Sequence, residues 1–278
     1  MRTKGTALPE DQPFDHYTLQ HRITAWVSIK IFDQITYRVR HGLLEGMRRK
    51  GGLGWVPKIF AGHLHTREEE FLSSLDLRGK IVYDVGAFQG LVTMFFARAS
   101  KTVVCYEPNQ RNRRRLKENL ALNGLDNVVI RPLGAGSRAH RGTMVFMPLM
   151  PGGASLEEKT VAQLKTDAST VSEEIEITTI DADRAEYRLP APDFMKIDIE
   201  GFEIEALRGA RQTLLDCKPD LFLEMHGETV REKRRKVAEI VAFLSEIGYS
   251  SVQHVESGAR ITAANGEAAL EGHLFCRY

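Results

Sequence analysis

The feature that most constrains this chain is the run KIVYDVGAFQG, from Lys80 to Gly90, in which an apolar stretch ends on glycine and gives way to a helix-like pattern. A short, continuous apolar run bounded by glycine reads as a strand buried on both faces. Glycine directly after it lets the backbone turn sharply and come close to a ligand. The same rhythm then repeats. TVVCYEP from Thr102 is a second strand, a charged helix covers about Asn109 to Asn123 with Gly124 closing it, and NVVIRPLG from Asn127 is a third strand. Alternation of this kind implies parallel strands joined by helical crossovers.

The rhythm breaks at Thr143–Leu149 and Glu174–Ile180, two more polar strand-like runs around a stretch of small and polar residues, read as an irregular excursion over one sheet edge. It resumes with a strand at Asp193–Glu200, a helix from about Ile204 to Asp216, a strand at Asp220–Gly227 and a helix from Val230 to Ile247. Two closing strands fall near Ser250–Val255 and His273–Tyr278. Upstream, the spacing of Ile23, Val27, Ile31 and Ile35, with Trp26 alongside, predicts a helix over about Thr18–Arg49. The domain expectation is a polar tail and helical cap over 1–70 and an alternating α/β domain over 71–278.

The loop at Asp84–Gly90 reads DxGxxxG. A dinucleotide loop would read GxGxxG and seat a pyrophosphate on the helix N-terminus; a carboxylate at the head repels that group and suits an ammonium instead. No GK[ST] follows, so phosphate-loop chemistry is excluded. Glu107 ends the second strand, where a carboxylate can pair with a ribose diol above the strand ends. Asp84, Gly86, Ala87, Gly90, Glu107 and Pro108 together suit S-adenosylmethionine. Leu133, Gly134 and Ala135 end the third strand and are expected at the adenine, or else form a plain turn. Purely structural readings stand beside these: Asp84 as the cap of a tight turn, Glu107 as a charge at the N-terminus of the helix that Pro108 begins.

The run from Asp84 to Gly90, YEPN at Tyr106–Asn109, LKENLALNGLDNV at Leu116–Val128, KIDIEGFE at Lys196–Glu203 and LEMHG at Leu223–Gly227 resemble an FkbM-type methyltransferase over roughly residues 70 to 278. The resemblance implies a Rossmann-like class I methyltransferase with a mostly parallel seven-stranded sheet flanked by helices, S-adenosylmethionine as cofactor, and O-methylation of a small metabolite or glycosyl unit. The chain departs from the usual pattern at Phe88, where the family has asparagine.

Methyl transfer to oxygen needs in-line alignment and a way to remove the acceptor's proton. Asp198 and Glu200 alternate with Ile197 and Ile199, and Glu224 and His226 are likewise two apart, so neighbouring strands would bring all four together. Asp198 or His226 is then a candidate general base. Alternatively, Asp198, Glu224 and His226 hold a divalent metal that acidifies the hydroxyl. In a purely structural reading Glu200 caps the following helix and Glu224 pairs with a buried Lys196 or a backbone amide. Asp181 lines the crevice or caps a turn. His63 and His65 have ligand-like spacing but sit in a polar loop.

Lys plus Arg total 38 against 37 Asp plus Glu, a balance that argues against nucleic acid as the main partner. The arginine run Arg111, Arg113, Arg114 and Arg115 is expected on a solvated helix face. With no signal-like segment and no apolar run of membrane length, a cytoplasmic enzyme for a small hydroxylated acceptor is expected. An RNA methyltransferase or a non-catalytic cofactor-binding scaffold is the alternative. Cys105, Cys217 and Cys276 are too scattered for a disulfide framework.

Overall fold

The computed structural model describes residues 33–51, 66–147, 150–155, 171–227 and 229–278. The expected rhythm folds as β3 (Ile81–Val85), α2 (Leu91–Ala99), β4 (Thr102–Tyr106), α3 (Gln110–Leu122) and β5 (Val128–Arg131). Further along come β10 (Phe194–Ile197), two short helices α5 (Glu203–Gly209) and α6 (Arg211–Cys217), β11 (Asp220–Glu224), α7 (Val230–Glu246), β12 (Ser251–His254) and β13 (His273–Arg277). One seven-stranded sheet has the order β12-β13-β11-β10-β3-β4-β5. The run β5-β4-β3-β10-β11 is parallel, and β13 inserts antiparallel to both β11 and β12. The chain leaves β3 towards β4 and β5, then returns to β10 on the other side of β3. Strand order therefore reverses at β3/β10, the place where an open α/β sheet leaves a crevice beyond its strand ends.

Period-two alternation splits each parallel strand between two cores. Val82, Val103, Phe194 and Phe222 face one side, against Met94 and Phe96 of α2, Leu116 of α3 and Leu72 of α1 (Arg67–Ser74). Tyr83, Val104, Met195, Ile197 and Leu221 face the other, against Leu207, Leu214, Val237 and Leu244 of the later helices. The Phe96 ring meets Phe194 edge-on at 5.7 Å; truncating such a side chain to alanine costs about 3–5 kcal/mol.

The polar excursion is a second sheet of four strands, in the order β6-β9-β7-β8. Its members are β6 (Gly134–Ala135), β7 (His140–Met147), β8 (Met150–Ser155) and β9 (Val171–Thr178). After it, α4 (Ile180–Tyr187) leads back to β10. Asp183 of α4 is buried and takes two bonds from the Arg131 guanidinium, at 2.8 and 2.6 Å, and one from the Tyr106 hydroxyl at 2.9 Å.

The expected N-terminal helix is corrected where the structure describes it. Instead of helix, Thr36–Arg38 (β1) and Arg48–Lys50 (β2) pair as an antiparallel hairpin. Gly42 and Gly46 break the helical pattern with positive φ. Arg98 of α2 then fixes the loop by donating to the carbonyls of Leu43 and Glu45. Ile23, Trp26, Val27 and Ile31, with His63 and His65, lie outside the described residues. Among those described, no helix is long and apolar enough to cross a membrane.

Candidate active site

A cleft opens at the β3/β10 reversal. Gly86, Glu107, Pro108, Leu133, Gly134 and Asp198 line it, all expected from sequence, and so do Val85, Phe88, Tyr106, Asn112, Ala135, Met144, Ile199 and Glu200. Gly86 has φ +91°, and its amide and that of Ala87 both donate to the Tyr106 carbonyl at 3.0 Å. A Cβ on Gly86 would stand 1.8 Å from the Asp198 carbonyl oxygen, so only glycine lets the first loop pass the end of β10 this closely. Phe88 follows at φ +50°, a left-handed conformation that asparagine adopts at lower cost than a bulky side chain.

Glu107 is buried at the cleft wall. One carboxylate oxygen accepts from the Phe88 amide at 2.7 Å, the other from the Asn109 amide at 2.9 Å and Asn112 Nδ2 at 3.3 Å. Burial raises its pKa, against the pull of these donors. Asp84 and Gly90 sit behind this wall. Asp84 is fully buried beneath the loop, bonded to the Thr93 hydroxyl at 2.6 Å and 3.7 Å from Lys196 Nζ. It therefore ties the end of β3 to α2 through Thr93, facing Lys196 instead of the cleft.

Lys196, also buried, donates to Asp198 Oδ2 at 2.8 Å. Burial opposes the charge of Asp198, but Lys196 and His226 outweigh it and hold the carboxyl below its usual range. β10 and β11 are neighbours, with Ile197 opposite Leu223, so the two pairs of alternating residues do converge. His226 Nδ1 donates to the buried Glu203 at 2.8 Å, while Nε2 faces Glu200 at 3.5 Å, Glu224 at 3.6 Å and Asp198 at 3.8 Å. Burial works against an imidazolium there, yet Glu203, Glu200 and Asp198 prevail and lift His226 to about 10. Three carboxylates around Nε2 favour a positive charge at that position, carried by a proton or by a bound cation, over a free base. Asp198, Glu224 and His226 each offer a ligand atom within 4.8 Å of the other two, which suits a metal better.

Glu200 is the residue that sequence reasoning undervalued. Glu203, not Glu200, receives the Gly201 amide at 3.0 Å, while Glu200 takes φ +53°, lines the cleft and brings Oε2 within 3.5 Å of His226 Nε2. Burial, reinforced by neighbouring carboxylates and opposed by His226, raises it to about 8. The signal in the sequence was the glycine that follows, which marks a turn after the strand. Asp181 caps α6, accepting from the Gln212 and Thr213 amides at 2.9 and 2.8 Å. The arginine run is partly structural: Arg113 donates to the Glu107 and Pro108 carbonyls, and Arg115 is buried against Asp33 at 2.9 Å.

The family model of the methyltransferase FkbM domain matches residues 84–251, more than half of the chain. No curated protein matches it. Among solved structures, it is similar to a methyltransferase FkbM from Methylobacillus flagellatus KT, at 20% identity and a TM-score of 0.49, over 80% of this chain and 50% of that one. The chain thus spans half the length of that relative. It is also similar to a precorrin-6y C5,15-methyltransferase from Geobacter metallireducens GS-15, with 15% identity, 76% and 84% coverage and a TM-score of 0.39. An rRNA methylase from Streptococcus thermophilus matches with 11% identity, 77% and 96% coverage and a TM-score of 0.41.

Proposed function

The chain belongs to the FkbM methyltransferase family, and from that premise we propose that it methylates a hydroxyl oxygen of a small metabolite or glycosyl unit, with S-adenosylmethionine as donor. The cleft fits that cofactor: a close-packed glycine turn at Gly86, a carboxylate at Glu107 that would accept from a ribose diol, and apolar walls at Leu133, Met144 and Ile199. When bound, S-adenosylmethionine supplies an electrophilic methyl group on a sulfonium sulfur. Gly86, Glu107 and Leu133–Ala135 would hold it.

The observation that carries the choice of oxygen as acceptor is the pair of carboxylates, Asp198 and Glu200, on the same cleft wall. A hydroxyl placed against them has a proton acceptor within the site, which a positively charged or purely apolar wall would not provide. Lys196 fixes the rotamer of Asp198 by holding Oδ2, while Oδ1 faces His226 Nε2 at 3.8 Å. A near-neutral net charge of +1 and the internal engagement of Arg113 and Arg115 support a small acceptor over a nucleic acid.

The test is titration calorimetry with S-adenosylmethionine, followed by S-adenosylhomocysteine release across hydroxylated acceptors and structured RNA. Asp198→Asn is expected to keep cofactor affinity and lose turnover. Absence of cofactor binding, or transfer to RNA alone, overturns the reading.

A further inference from the structure

We infer that Asp198, Glu224 and His226 form a binding site for one hard divalent cation of the Mg2+/Mn2+ type, placed between the ends of β10 and β11 beside the cofactor cleft. The first argument is geometric. His226 Nε2 has three carboxylates around it, at 3.5, 3.6 and 3.8 Å from Glu200, Glu224 and Asp198. Each distance is too long for a good hydrogen bond. Spacings of this size arise when several ligands surround a common centre at metal–ligand distances near 2.1 Å. The ligand atoms of Asp198, Glu224 and His226 all lie within 4.8 Å of one another.

The second argument is how the imidazole is held. Its Nδ1–H donates to Glu203 at 2.8 Å, and Glu203, 1% exposed, is itself fixed by the Gly201 amide. A metal-binding histidine is oriented in this way, its other ring nitrogen anchored by a carboxylate. Asp198 is divided in the same sense: Oδ2 is taken by Lys196 at 2.8 Å and Oδ1 faces His226.

An independent observation comes from the far side of Glu224. His273 on β13, its side chain 9% exposed, is anchored through Nδ1 by Glu256 at 2.7 Å. Its Nε2 makes no hydrogen bond within 3.5 Å and faces the second oxygen of Glu224 at 3.7 Å and Glu68 Oε1 at 3.8 Å. Glu224 thus presents one oxygen to each of two anchored imidazoles. Two carboxylates plus one imidazole, without thiolate, form an oxygen-rich donor set that accepts Mg2+ or Mn2+, the carboxylates supplying the hard ligands. Asp198 belongs both to this site and to the cleft wall, so the cation would sit where an acceptor hydroxyl or vicinal diol reaches the methyl group. That role rests on the methyl-transfer reading above; the binding itself does not.

The experiment uses the full chain stripped with chelator and titrated with Mn2+. Loss of the free-ion paramagnetic resonance signal reports binding, and the thermal midpoint with and without Mn2+ reports its linkage to the fold. One Mn2+ is expected per chain, with a rise in midpoint. Glu224→Gln and His226→Ala should each weaken binding about ten-fold or more, whereas Glu176→Gln, on an exposed pair of the second sheet, should not. A circular dichroism spectrum shows whether each variant folds, and Asp198→Asn replaces any that does not. No binding, or binding unchanged in the folded variants, overturns the proposal and leaves the His226 proton as the cluster's own counter-charge. S-adenosylmethionine calorimetry on the same samples separates the two readings. Cofactor binding without Mn2+ binding removes this site only, and Mn2+ binding without cofactor binding removes the methyl-transfer reading only.

Discussion

Replacing Gly86 by alanine perturbs the contact on which the cleft depends. The added methyl would lie 1.8 Å from the Asp198 carbonyl oxygen, 2.8 Å from its carbon and 2.9 Å from Ile199 Cγ2. Relief to ordinary contact opens the gap between the β3 loop and β10 by more than about an ångström, enough to break the bond from the Asp198 amide to the Val85 carbonyl, now 3.0 Å. The positive φ costs an alanine about 1–2 kcal/mol and the lost hydrogen bond about 1 kcal/mol. A loss of about 2–3 kcal/mol corresponds to roughly 4–12 °C in midpoint for a domain of this size. Because Asp198 moves with the strand end, transfer should fall about 100-fold, the usual effect of a misplacement on this scale. The control is Gly79→Ala, whose φ is +73° but whose Cβ would meet nothing within 4 Å. It should lose only the backbone share of stability and keep full cofactor affinity. Scanning calorimetry and cofactor titration on both variants decide the matter. Parent-like affinity and turnover in Gly86→Ala, or equal losses in Gly79→Ala, would refute the close-approach argument.

Other outcomes follow from the same geometry. Glu107→Gln places an amide among the donors of Phe88, Asn109 and Asn112 and removes a charged hydrogen-bond acceptor; cofactor affinity should drop about 10- to 100-fold by calorimetry. Arg131→Met leaves Asp183, 2% exposed, with the Tyr106 hydroxyl as its remaining side-chain partner, and should cost about 3–5 kcal/mol in urea unfolding. Burial raises the Glu256 carboxyl, but the bonds from His273 prevail and depress it, with His254 Nε2 also facing it at 3.0 Å. A depressed folded pKa means that its stabilisation is present above the unfolded value, about 4.3, and lost as pH falls through the folded value. Glu256→Gln should therefore flatten the acid limb of a midpoint-versus-pH curve, and an unchanged limb would remove Glu256 from that account.

The parallel strands were legible because burial on both faces makes them continuous apolar runs, and the glycine loop at 86–90 and Glu107 were legible because their spacing reflects local backbone needs. Convergence of Asp198 with His226 followed from period two once β10 and β11 were taken as neighbours. Other parts were hidden. The second sheet pairs β6 with β9 across the whole excursion, and its polar alternation carries no sign of so distant a register. The hairpin at 36–50 was masked by an upstream four-residue stripe that ran into it. Glu203 and His273 reach the cluster through a helix start and a strand insertion, neither of which leaves a spacing signal. Glu200 looked like a cap because its role depends on a left-handed backbone angle that only the three-dimensional turn reveals.

The insertion of β13 between β11 and β12 has a further consequence for a chain made from one end to the other. β12 pairs in the sheet with β13 alone, so residues 251–254 emerge from the ribosome as an edge without a seat. They must wait until residues 273–277 arrive and slot in beside β11. His273 travels on that late strand, and with it the second imidazole facing Glu224. The charged cluster at the strand ends therefore closes only once β13 has been made, and a nascent chain stalled short of β13 would carry its glycine loop beside an unfinished acidic pocket.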